Sequence, residues 1–235
     1  MSISLHPYTQ PSWSDSVRDL LVTGTDTGVG KTMIAAALIT ALRARGLRAL
    51  GFKPAETGVC PDHRTDSEAL ALASGEQNAL ARPLLQLAEP LAPAIAAERA
   101  GVTLDPDDIE ARIRRLRQDG YALVVEGAGG VMVPLSWGYT VLDLAQACDL
   151  DAVVVARAGL GTLNHVMMTV MMLRSHQIPI RGIVLNGRSV APDVAESTNP
   201  SALSRMLHGV RIVEVPFDPS GEPLGIAAGV VGRLL

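Results

Sequence analysis

Lysine is almost missing from this sequence. The 235-residue chain holds eighteen arginines but only two lysines, Lys31 and Lys53. A compositionally biased genome explains arginine in place of lysine. It does not explain where the two exceptions sit. Cysteine is also scarce, with Cys60 and Cys148 far apart and no CxxC. That excludes a disulfide scaffold and a cysteine zinc site, and two plain thiols suit a reducing cytoplasm. Aromatics are only 3% of the chain. No run of about eighteen apolar residues is present, so no membrane span is expected. Residues 1–18 lack a basic stretch followed by an apolar one, so they read as a polar lead-in rather than a signal peptide. The net charge of −4 leaves no overall field to attract nucleic acid or an anionic membrane. With 48% hydrophobic and 19% charged residues, the chain has too much apolar surface to stay disordered.

Short apolar runs alternate with longer helical patterns. Leu20-Leu21-Val22 reads as a strand ending at Gly24, and KTMIAAALITALRAR as a helix over 31–45 stopped by Gly46. Residues 47–52 form the next strand, ended by Pro54, which cannot donate to a ladder. DSEALALAS predicts a short helix opened by Asp66 and closed by Gly75. Prolines 83, 90 and 93 leave an extended piece near 83–87 and a helix near 94–100. Over 105–119, Asp105 suits an N-cap and Pro106 the first turn, with acids early and arginines late. Its four clustered arginines read as a solvated face rather than an RNA contact. Strands are expected at YALVVEGAGG, 152–155, 181–185 and 211–215, with a helix over 162–176. The tail over 219–235 is short and glycine-rich and leaves the C-terminal side of the nucleotide pocket poorly defined. Such four-residue runs between helices predict one α/β domain over 19–235. Its sheet is mostly parallel with helices on both faces, as in P-loop NTPases.

The chemistry starts at GTDTGVGKT, residues 24–32, between the first strand and the first helix. Backbone N–H groups at such a turn face an oxyanion, and the helix dipole favours negative charge. Lys31 is placed to reach the β- and γ-phosphates, and Thr32 to ligate Mg²⁺. Five residues rather than four separate Gly24 from Gly30, a departure from the usual spacing. No dinucleotide fingerprint fits, because Met33 occupies the third glycine position counted from Gly28. Glu126, after an apolar strand and before Gly127, Ala128 and Gly129, is the expected acidic metal partner. Asp66 is either an N-cap or a second metal ligand. Lys53 stands at the carboxyl end of the second strand, the edge where ligands bind in parallel sheets. A lysine there supplies a mobile point charge for a phosphate or carboxylate in transfer.

Four segments in order, GTDTGVGKT, KPAETG, VEGAGG and AGLGTLNH, resemble the dethiobiotin synthetases, ATP-dependent enzymes of biotin synthesis. The resemblance runs from about residue 20 to the C-terminus. It implies a ligase that takes 7,8-diaminopelargonic acid, CO₂ and ATP with Mg²⁺ and releases ADP and phosphate. It implies Lys31 and Lys53 as catalytic cations, with Thr32, Asp66 and Glu126 around the metal. Nucleotide contacts are implied at Gly28, Val29, Gly30, Lys31, Thr32, Met33, Asp66, Glu126, Gly127, Ala128 and Gly129. Asn186, Gly187, Pro216, Phe217 and Asp218 are implied at the adenine side. Thr27, Lys53 and Thr57 are implied against the diamine or carbamate. Gly161, Thr162, Leu163 and Asn164 are implied to receive its distal carboxylate across a homodimer interface. Met167, Met168, Met171 and Met172 follow on that helix as core or dimer packing. Many relatives carry glutamate where this chain has Gly28, so its loop lacks one charge.

Two other readings compete. A related amidoligase usually carries a glutaminase domain with a catalytic cysteine, for which the chain has no room. A partitioning-type ATPase carries K-G-G-x-G-K-T, and Asp26 stands where its signature lysine would be.

Overall fold

The computed structural model describes residues 18–75, 78–217 and 223–235. The proposed lead-in, apart from Arg18, lies outside the described residues, as does Asp218. Strand β1 (Leu20–Gly24) leads through the glycine loop into helix α1 (Lys31–Ala44). Then follow β2 (Ala49–Phe52), β3 (Ala55–Thr57), α2 (Asp66–Ser74) and β4 (Leu85–Leu87). Helices α3 (Pro93–Ala100) and α4 (Pro106–Gln118) precede β5 (Ala122–Gly130). A hairpin of β6 (Pro134–Ser136) and β7 (Tyr139–Thr140) runs into α5 (Val141–Ala147). The chain continues through β8 (Asp151–Arg157), α6 (Thr162–Ser175), β9 (Ile180–Arg188) and α7 (Val194–Met206). It ends with β10 (Ile212–Pro216) and α8 (Pro223–Val231).

Six strands form one sheet in the order β10-β9-β8-β1-β5-β2, with every pairing parallel. Both faces are covered, so the middles of its strands are largely apolar. β1 is buried at all five positions. One core layer joins α1, α2 and α8 to the sheet through Ile34, Leu38, Leu70 and Val231. The other lies under α4, α5, α6 and α7 and includes Ile109, Leu144, Val170 and Leu203. In α4, Ile109, Ile113 and Leu116 form the fully buried stripe. Each such side chain contributes about 1.5–3 kcal/mol by leaving water. Asp105 caps its first turn by accepting from Asp107 N–H at 2.9 Å. Among the described residues, no helix is long and apolar enough to cross a membrane.

The structure adds elements that the sequence pattern does not predict. β3 follows Pro54 at once and pairs with β4 in a separate two-stranded sheet. α7 carries Pro200 inside the helix, where a breaker is expected. The glycine-rich tail forms α8, which packs Ala227 and Val231 against α1, and Leu234 is buried beyond it. Arg18 pairs with Asp149 and Asp151, so the polar lead-in already touches the domain at its last residue.

Candidate active site

Strand order reverses at β1, with β5 and β2 on one side and β8, β9 and β10 on the other. A crevice opens beyond the carboxyl ends of the strands at such a switch point. The glycine loop occupies it. Gly28 and Gly30 have φ of +71° and +93°, which L side chains rarely adopt. Gly30 is the N-cap of α1 and brings no capping side chain, so first-turn N–H groups remain available to an anion. A Cβ at Gly30 would stand 2.1 Å from Nδ2 of Asn186. That amide donates to the Val29 carbonyl at 2.9 Å and braces the loop from behind.

A cavity of about 480 Å³ lies in front of the loop. Thr27, Gly28, Gly30, Lys31, Thr32, Lys53, Thr57, Asp66, Glu126, Ala128 and Gly129 line it, as expected from the sequence. Ala55 of KPAETG completes the wall with residues 90–93 and Val133, which belong to no motif. Both lysines of the chain therefore meet in one cavity. Each is only 7% exposed, whereas charged side chains are seldom buried unless paired.

Their partners differ. Lys53 donates to Oε1 of Glu126 at 2.7 Å and to Oδ2 of Asp66. Burial works to lower its pKa, but Glu126 and Asp66 outweigh burial and hold it above the ordinary lysine value. Lys31 donates to the backbone carbonyl of Asp26 at 3.0 Å. Burial pulls its pKa below the ordinary value, with Glu126 opposing and Lys53 adding to the effect. Thr32 Oγ1 donates to Oε1 of Glu126 at 2.9 Å. Burial pushes the Glu126 carboxyl up. The Lys53 ammonium and the Thr32 hydroxyl oppose this.

Asp66 is not the N-cap of α2. Thr65 is, in a full capping box: its hydroxyl accepts from Glu68 N–H at 3.2 Å, and Glu68 accepts from Thr65 N–H at 2.9 Å. The Asp66 carboxylate is thereby free to turn toward Lys53. Glu126 lies within β5, opposite Val22 of β1, rather than at the strand's end. Its Oε2 is buried with no protein partner among the described residues, a hard donor left for a cation. Thr32, Asp66 and Glu126 thus form an oxygen donor set suited to Mg²⁺.

Other expected residues fall outside the cavity wall. Val29 is buried behind the loop, and Met33 faces partly into the α1 layer. Gly127 lies in β5 against Val141. Gly187, Pro216 and Phe217 stand near the ends of β9 and β10, with Phe217 61% exposed. Gly161, Thr162, Leu163 and Asn164 open α6 and do not line this cavity. Arg157, at the end of β8, drew no attention in the sequence. It donates to the Thr27 carbonyl at 3.1 Å and pairs with Asp26 at 3.6 Å. A strand-end arginine beside the loop was the available signal.

The parallel sheet, the glycine loop at its switch point and the lysine–carboxylate cluster define a P-loop nucleotide-binding protein. The AAA domain family profile matches residues 18–223. The ATP-dependent dethiobiotin synthetase of Anaeromyxobacter dehalogenans is 44% identical over 204 residues, 86% of this chain and 92% of that one. Its counterpart in Haloferax mediterranei is 42% identical over 218 residues, covering 92% and 91%. That of Bacillus subtilis is 37% identical over 202 residues, covering 85% and 87%. The chain belongs to the dethiobiotin synthetase family. Among solved structures, apo McdA of Cyanothece superposes with a TM-score of 0.58 at 12% identity, covering 92% of this chain and 98% of that one. The ATP complex of a singly substituted Cyanothece McdA gives 0.55 at 14%, covering 93% and 90%. These show the shared fold alone.

Proposed function

We propose that this chain converts 7,8-diaminopelargonic acid, CO₂ and ATP to dethiobiotin, ADP and phosphate. CO₂ adds to one amine to give a carbamate. ATP phosphorylates a carbamate oxygen. The second amine attacks the carbonyl carbon, closes the ureido ring and expels phosphate. No protein nucleophile is needed, so the protein must position the reactants and hold their charge. The observation that carries the reading is the meeting of Lys31, Lys53, Asp66 and Glu126 in one cavity in front of the glycine loop.

In this reading the loop N–H groups and Lys31 hold the β- and γ-phosphates. Lys53 faces the transferring phosphoryl and the carbamate. Thr27 and Thr57 border the diamine. Thr57 already donates to the Leu91 carbonyl at 2.8 Å, which leaves its oxygen lone pairs for the substrate's amine. Thr32, Asp66 and Glu126 hold Mg²⁺, which supplies charge neutralisation at the phosphates. Asn186, Gly187, Pro216 and Phe217 border the adenine.

Gly161, Thr162, Leu163 and Asn164 serve the cavity of a second copy, which makes the working unit a homodimer. The free N-terminus of α6 supports this, as do Leu160 at 93% exposure and the exposed Met168 and Met171. Free thiols at Cys60 and Cys148 suit a cytoplasmic enzyme. Purified protein should release ADP only when the diamine, bicarbonate and Mg²⁺ are all present, with dethiobiotin identified by mass. ADP release that ignores the diamine would overturn the assignment. Gel filtration with light scattering should find a dimer, and full activity in a monomer would refute the shared site.

A further inference from the structure

Glu56 is a buried carboxylate in β3, only 4% exposed, and it does not line the cavity. Among the described ion pairs, none includes it. Its acceptors are nonetheless filled. Oε1 accepts from the backbone N–H of Asp66 and from that of Ser67 at 3.2 Å. Oε2 accepts from the Ser67 hydroxyl at 2.8 Å and from the Gln86 amide at 2.9 Å. A carboxylate held by several donors at a helix N-terminus tolerates burial without a cation.

The helix does not need this carboxylate to begin, because Thr65 and Glu68 already complete its cap. What Glu56 adds is location. Lys53 directly follows β2 and Asp66 begins α2, and residues 60–64 between them are exposed rather than packed against either. The far end of α2 is fixed separately, by Ser74 accepting from Gly51 N–H at 3.1 Å. Glu56 fixes the near end. It also takes Gln86 of β4, whose strand leads on to the cavity wall at residues 90–93.

We propose that Glu56 is the positioning residue for Asp66: it holds that carboxylate opposite Lys53 and Glu126, and so sets the affinity of the site for a divalent cation. This rests on reading Asp66 and Glu126 as metal ligands. The test is Mn²⁺ binding in the presence of saturating ADP, followed by electron spin resonance, which needs no turnover. Glu56→Gln should weaken Mn²⁺ binding by roughly tenfold to a hundredfold, the usual cost of losing an outer-shell partner. ADP affinity without metal should hold. A Glu56→Gln protein that melts lower yet keeps its Mn²⁺ affinity would overturn the proposal and leave only a structural staple. Should that variant fail to fold, Ser67→Ala decides: it removes one donor to Glu56 and should weaken Mn²⁺ by about threefold. No change there also overturns the proposal. A wild-type protein that binds no Mn²⁺ with ADP would instead refute the metal-site reading beneath it.

Discussion

At the scale of the residue, Lys53 carries the sharpest expectation. Its ammonium lies between Glu126 and Asp66 and faces the cavity that the loop closes. Lys53→Gln keeps the length and loses the charge. Turnover should fall by about 10²–10³, the usual cost of removing one group that stabilises transition-state charge. ATP affinity, measured by equilibrium titration, should change little. Equal damage to both would make Lys53 a plain nucleotide anchor. Cys148 gives a second expectation. Burial, with Glu110 adding, lifts its thiol from an ordinary 9.0 to about 11. The unfolded thiol ionises first, so between about 9 and about 11 the unfolded chain binds fewer protons. Unfolding free energy should then fall as pH rises through that window, and the slope should shrink in Cys148→Ala. An aromatic disulfide reagent at neutral pH should titrate Cys60 alone, reaching Cys148 only in denaturant. Two fast thiols in the native protein would contradict that burial.

At the scale of the element, the glycine loop and the helix it feeds can be separated by two substitutions. Gly30→Ala meets both a φ of +93° and the Asn186 amide, and should break the Asn186–Val29 contact. It should cost about 1–3 kcal/mol and reduce nucleotide affinity. Gly46→Ala, past the other end of α1, has a φ of +83° but nothing within 4 Å. It should cost about 1–2 kcal/mol in chemical denaturation and leave nucleotide binding alone. Equal nucleotide affinity in both variants would remove Asn186 as the brace of the loop. The sequence announces such elements unevenly. The loop, KPAETG and VEGAGG are legible because a strand end followed by glycine and charge is a local pattern. α7 is hidden by Pro200, and α8 by Gly225 and Gly229, whose propensities tertiary packing overrides. The cap of α2 was misassigned: the sequence offers Asp66 as the N-cap, whereas Thr65 and Glu68 form the capping box and leave Asp66 free. Glu56 was not legible. Its donors sit at 66, 67 and 86, and only the fold brings them together.

At the scale of the whole molecule, the shortage of lysine becomes a tool. With two lysines in 235 residues, any amine-directed reagent has two side-chain targets and the N-terminus. Both lysines line one cavity, so side-chain labelling, told apart from the N-terminal amine by peptide mass, reports on the site. The structure also ranks them. The reactive form is the neutral amine. Burial lowers the pKa of Lys31, so more of it is neutral at mildly alkaline pH than in an ordinary lysine. Glu126 and Asp66 raise that of Lys53, so less of it is neutral. A small reagent such as trinitrobenzenesulfonate should therefore modify Lys31 first, with inactivation tracking one added group by peptide mass. Mg–ATP should slow that reaction, since the phosphates would occupy the ammonium of Lys31. Lys53→Gln should still be labelled at Lys31, and at the wild-type rate if loss of the neighbouring positive charge did not matter. Because Lys53 contributes to lowering the Lys31 pKa, we expect slower labelling in that variant. Labelling of Lys53 ahead of Lys31, or a rate indifferent to ATP, would contradict the charge arrangement on which the proposed chemistry depends.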